Sequence, residues 1–185
     1  MNSVTTATVS LGAVTLGLGI LAWHFTKWWR TGGGGASRPG PGPAVSSTGG
    51  RDPKVLIPLL SSMALGMVSI TAAGGIIGTA ATFVLNTGSL VGNWSLTAAT
   101  GSVTPEVTRS GLKALTPGGC AMLTIYFVVL VAIWKSGAKL LKGKIMSGVL
   151  AGIFLGLSAG FSGVAAVGAV TITNTLGDKI TGVVL

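Results

Sequence analysis

Few side chains in this sequence could do chemistry. Its 185 residues include one cysteine, one histidine and three carboxylates, Asp52, Glu106 and Asp178. Nucleophilic catalysis needs a serine, cysteine or threonine beside a base, and no such pairing is evident. One histidine excludes a histidine-based metal cluster, and the expectation is no metal, no cofactor and no enzyme. His24 adjoins Trp23 and reads as a polar anchor at a membrane surface. Cys120 rules out an intrachain disulfide and reads as a small buried apolar residue at a helix start. The stretch GAKLLKGK is not a phosphate loop, because the glycine spacing is wrong and Ile145 follows Lys144.

The residues with informative spacing are glycines and lysines. Gly148, Gly152, Gly156 and Gly160 recur every fourth position. On a helix of 3.6 residues per turn they form a stripe without side chains, into which another backbone can press. Gly66, Gly74 and Gly78 make a looser version in an earlier segment. Such stripes serve packing within one chain or assembly of several copies, including assembly around a pore. Lys135, Lys139, Lys142 and Lys144 form the second group, with the first three sharing a helical face. They serve as a topology signal that also meets anionic lipid, or as contacts to DNA phosphates.

The elements that must position these residues are hydrophobic. Hydrophobic residues make up 49% of the chain and charged residues only 8%, against about a quarter charged in soluble domains. Glycine, at 31 residues, is also commoner in membrane helices than in soluble ones. The expected fold is therefore all-α, an integral membrane bundle of about four transmembrane helices. The first is expected over residues 4–24, ending in Lys27 and Arg30 among the interfacial anchors Trp23, Trp28 and Trp29. No cation precedes it, so it does not read as a cleaved signal peptide. A flexible Gly/Pro/Ser linker is expected over 31–52.

A second apolar run covers 55–85, opened by a cap at Asp52-Pro53 and bent at Gly74-Gly75. Residues 86–117 read as an outer loop carrying a short interfacial helix in PEVTRSGLKAL. Within it, Asn93-Trp94-Ser95 has the spacing of a glycosylation sequon, relevant only to a eukaryotic secretory pathway. A third helix starts at Thr116-Pro117 and runs to Trp134, another interfacial anchor. A fourth covers 145–173. The domain division is 1–30, the linker, and a three-helix membrane domain over 53–185. No sequence repeat is evident.

Charge sets the orientation. The net charge is +9. Nine of the twelve cations fall in two loops: Lys27, Arg30, Arg38, Arg51 and Lys54 in one, and the four lysines in the other. Four crossings put both loops on one face. The positive-inside rule then makes that face cytoplasmic and leaves the N-terminus and C-terminus outside. Carriers that couple to ions usually hold ionisable groups within their spans, and none is evident in these segments.

The segments LTPGGCAMLTIYFVVLVAIW and GVLAGIFLGLSAGFSGVAAVGAV resemble those of small membrane proteins of actinobacterial mobile elements, the Spd-type conjugal spread proteins of Streptomyces. The resemblance spans 51–170 and rests on the TPGG helix start and the run from Gly152 to Gly160. It implies a self-associating membrane component that assists plasmid spread between neighbouring cells, in company with a DNA translocase or DNA at the cytoplasmic face. This chain lacks an extended soluble domain for specific DNA binding. Two other expectations stand beside it. One is a phage holin-like pore former, although many holins carry a charged cytoplasmic tail that this chain lacks. The other is a non-catalytic scaffold that binds a partner protein.

Overall fold

The computed structural model describes residues 5–31, 56–72, 75–102, 106–112, 114–137, 139–158 and 161–184. Six helices dominate: α1 (Leu11–Thr31), α2 (Ile57–Ser69), α3 (Gly75–Thr100), α4 (Pro117–Ser136), α5 (Lys139–Gly156) and α6 (Phe161–Val184). Strands β1 (Thr5–Ser10) and β2 (Glu106–Leu112) add a two-stranded antiparallel ribbon, with Val9 opposite Val107. By length and composition, α3 and α4 are able to cross a membrane, and α2 is a shorter apolar helix.

Several boundaries differ from expectation for identifiable reasons. The first helix begins at Leu11 rather than residue 4, because the threonine- and valine-rich TTATVS is extended and pairs with β2. The expected interfacial helix in PEVTRSGLKAL is instead β2, the other half of that ribbon. The first part of the expected outer loop at 86–117 is helix, since α3 continues to Thr100. Its polar residues satisfy themselves locally: Thr87 donates to the Phe83 carbonyl (2.9 Å), Ser95 to Gly92 (3.0 Å) and Thr100 to Leu96 (2.7 Å). The helix thus carries hydroxyls at little cost in apolar surroundings. Asn93 sits within α3 with a buried side-chain oxygen, which does not suit a glycan acceptor. The cap at Asp52-Pro53 and the linker from residue 32 to 52 lie outside the described residues; α2 begins at Ile57 with Pro58 in its first turn.

The second and fourth apolar segments are each broken. After α2 the hydrogen-bond pattern tightens, with the Thr71 amide donating to Val68 and the Ala72 amide to Ser69. Gly75 then starts α3 with φ +75°, a conformation that disfavours any residue with a Cβ. The fourth segment ends α5 at Gly156, and α6 begins at Phe161. α1 packs on α3 and α5.

These breaks expose an internal repeat. α1–α3 and α4–α6 have the same order: a helix, a shorter one, a break and a longer helix. α1 packs on α3 as α4 packs on α6, while α2 and α5 form the most extensive helix pairing between the units. Sliding α2 onto α5 in one register matches buried Leu59 with Ile145, Ser62 with Gly148, Leu65 with Ala151, Gly66 with Gly152 and Ser69 with Leu155. A single register likewise places Gly78, Ala81, Leu85 and Gly92 of α3 on Gly163, Ala166, Val170 and Gly177 of α6, all buried. Even the caps correspond. The Ser10 hydroxyl accepts from the Ala13 amide (3.2 Å), and the Thr116 hydroxyl from the Gly119 amide (3.0 Å).

Close glycine approaches hold each unit together. Gly12 of α1 meets Gly92 of α3, and Gly118 of α4 meets Gly177 of α6, backbone against backbone. The ribbon and the Thr116–Asp178 hydrogen bond (2.7 Å) therefore lie at one end of the bundle, with the starts of α1 and α4 and the C-terminal parts of α3 and α6. The C-terminal ends of α1 and α4 point to the other end, where α5 starts.

Candidate functional site

Two features bring together the residues singled out by spacing. The first is the central crossing of α2 and α5. A Cβ on Gly148 would collide with the Ser62 hydroxyl and Leu59 carbonyl, and one on Gly152 with the Met63 backbone. On Gly156 it would lie 3.1 Å from Ile70 Cγ2 and 3.2 Å from Met67 Cα. The partners advance along α2 as the glycines advance along α5, so the helices run parallel. Gly66 in turn abuts the Val149 carbonyl and Gly152 Cα. The contacts are reciprocal: Gly66 faces Val149, while its counterpart Gly152 faces Met63, the counterpart of Val149. A two-fold relation between the units has this property.

The structure thus places Gly148, Gly152, Gly156 and Gly66 in one seam inside the chain. Gly78 belongs elsewhere, packed on the Ala72 carbonyl across the break that starts α3. Gly74 and Gly160 lie outside the described residues. The seam is lined by buried hydroxyls that bond within their own helices: Ser62 to Leu59 (3.0 Å), Ser69 to Leu65 (2.7 Å) and Thr71 to Val68 (2.8 Å). Ser158 and Ser162 bond to each other across the second break. With these donors committed to backbone or to each other, the seam is built for packing.

The second feature is the basic end. Lys135 ends α4, and Lys139, Lys142 and Lys144 occupy the first two turns of α5. Lys142 Nζ lies 5.5 Å from the centroid of the Trp134 ring, a cation–π contact. Lys144 and Lys27 both act electrostatically on His24 of α1, which places the end of α1 beside the start of α5. Trp28 and Trp29 form an aromatic group with Phe25, whose centroid lies 5.5 Å from Trp28 and 6.0 Å from Trp29. Trp23, Trp29 and Trp134 are exposed, and Trp28 is half-buried. The described acidic residues, Glu106 and Asp178, belong to the opposite end.

Cys120 does not occupy a buried position. It lies on the exposed side of α4, because Gly118 and Gly119 take the close approach to α6. Sequence reasoning passed over three cross-helix polar contacts. Buried Asn174 accepts from the Thr116 amide (3.1 Å) and donates to the Ala114 carbonyl (3.2 Å), locking the entry of α4 onto α6. Asp178 accepts from Thr116, and the Tyr126 hydroxyl donates to the Ser61 carbonyl of α2 (2.6 Å). A lone asparagine in an apolar run was the available signal, since a buried amide side chain needs hydrogen-bond partners. Among the described residues, no group of three or more histidine, cysteine, aspartate or glutamate side chains is placed to hold a metal.

Compared with known proteins, the chain matches no family model, no curated protein and no solved structure.

Proposed function

We propose that the chain is a four-span protein of the cell membrane, with its basic end in the cytoplasm and both termini outside. In this reading it is a non-catalytic, self-associating component of a conjugal DNA transfer apparatus. The observation that carries the membrane reading is the sorting of charge by bundle end, together with the apolar surface between the ends. On α3, Ile76, Phe83, Leu90 and Trp94 are each at least 72% exposed. An uncovered apolar stripe of this extent suits lipid or another protein rather than water. The basic end supports a cytoplasmic orientation by the positive-inside rule.

Self-association would use these outer faces, since the glycine seam is occupied within the chain. Any conducting path would form between copies, because the centre is closed by backbone contact. The role in conjugal spread rests on the resemblance of the α4 and α5–α6 segments to Spd-type proteins.

Two experiments test the reading. In a background where Cys120 is serine, a cysteine at Ser102 should react with an impermeant maleimide on intact cells, and one at Lys139 only after the membrane is permeabilised. Labelling of both from one face would sink the four-span topology. Deleting the chain from its element should reduce spread between cells, and the wild-type chain should restore it. Undiminished spread would remove the transfer role while leaving the membrane reading in place.

A further inference from the structure

The internal repeat separates what the fold requires from what it does not. Helices α1 and α4 end alike, with Trp28 and Trp134 at matched positions. The next residue is Trp29 in the first unit and Lys135 in the second. The position of Lys142 in α5 corresponds to Leu56 at the start of α2. Since the same architecture forms without cations at these positions, Lys135 and Lys142 are not demanded by packing. Lys139 and Lys142 also oppose local electrostatics, because they sit in the first turn of α5, at the positive end of the helix macrodipole. No acidic residue occupies that turn.

The cations adjoin an apolar wall. The last turns of α4 expose Val131, Ile133 and Trp134 immediately before Lys135. Trp134 serves both sides of this boundary, exposed on the helix surface and holding Lys142 over its ring. A ligand that fits must place negative charge within reach of several ammonium groups and lay hydrocarbon on the adjoining helix. A nucleic acid satisfies the first requirement only; an anionic phospholipid satisfies both.

We infer that Lys135, Lys139 and Lys142, with Trp134 at the acyl boundary, form a binding site for the headgroup phosphate of an anionic phospholipid. The site rests on the membrane reading above and adds a specific lipid contact on the second unit alone. The ammonium groups take the phosphate and glycerol oxygens, while the acyl chains lie along Val131 and Ile133.

The test is native mass spectrometry of the full chain released from nanodiscs of equal phosphatidylglycerol and phosphatidylcholine. Wild type should retain phosphatidylglycerol preferentially, by about fivefold for each lysine engaged. The K135Q/K139Q/K142Q variant should retain the two lipids equally, while arginine at the same positions keeps the preference and K179Q at the opposite end leaves it unchanged. Folding of each variant is checked by circular dichroism. Equal retention by wild type, or an unaltered preference in the triple variant, overturns the site. Duplex DNA binding that depends on these lysines, without lipid preference, also overturns it and assigns the patch to nucleic acid. Carbonate extraction distinguishes the underlying reading: release of the protein from membranes without detergent removes both, whereas retention without lipid preference removes the lipid site alone.

Discussion

At the scale of single residues, some glycines touch another segment closely and others touch nothing. A Cβ on Gly152 would collide with Met63, whereas Gly19 and Gly168 have open space where a Cβ would stand. Gly152→Leu should therefore destabilise the bundle by at least the 1–3 kcal/mol typical of overpacking, read as a lower melting temperature in mild detergent. Gly168→Ala should be neutral or slightly stabilising, since alanine is the better helix former. Equal effects at the two sites would contradict the α2–α5 seam. Thr116 carries two roles, capping α4 and donating to Asp178. Thr116→Val keeps the bulk and removes both bonds, and should cost about 1–2 kcal/mol by the same measurement. Thr116→Ser should retain most of the wild-type stability, because its hydroxyl can make both contacts.

At the scale of elements, the sequence read correctly where one physical signal dominated. Thr116-Pro117 before an unbroken aliphatic run marks α4, because an N-cap, a proline in the first turn and length all agree. The four-residue glycine spacing of α5 likewise marked a close approach, though spacing alone cannot name the partner. Reading failed where polar atoms are satisfied locally. Residues 86–100 looked like loop because hydropathy counts a hydroxyl as polar even when it bonds to its own helix. The repeat was concealed because the identical matched positions are mostly glycine and alanine, common throughout the chain, while others keep burial alone, as with Leu85 and Val170 or Ser62 and Gly148. The Tyr126–Ser61 hydrogen bond joins α4 of one unit to α2 of the other. Tyr126→Phe removes that tie at almost constant volume, with an expected cost of about 0.6 kcal/mol, the average for such bonds between membrane helices. A loss of several kcal/mol in detergent unfolding would show that the tie holds more than one helix pair.

At the scale of the whole molecule, two units of one design meet chiefly along the α2–α5 pair, and this makes the chain divisible. Residues 103–105 lie between α3 and β2, so a break there leaves each three-helix unit whole. The fragments would retain the α2–α5 seam, the α1–α5 packing and the β1–β2 ribbon, all of which cross the break. Co-expressed as 1–103 and 104–185, they should co-purify as a one-to-one complex with the helical content of the intact chain. Gly66→Leu in the first fragment or Gly152→Leu in the second should abolish recovery, because each side chain would drive α2 and α5 apart. The second fragment expressed alone presents Gly148, Gly152 and Gly156 without their partner helix. Since α2 and α5 are related by a two-fold, a second copy of α5 fits that place, and the lone fragment should dimerise through the same stripe. Crosslinking after single-fragment and paired expression reads both results. Fragments that stay separate would mean that the covalent connection, rather than the glycine seam, holds the units together.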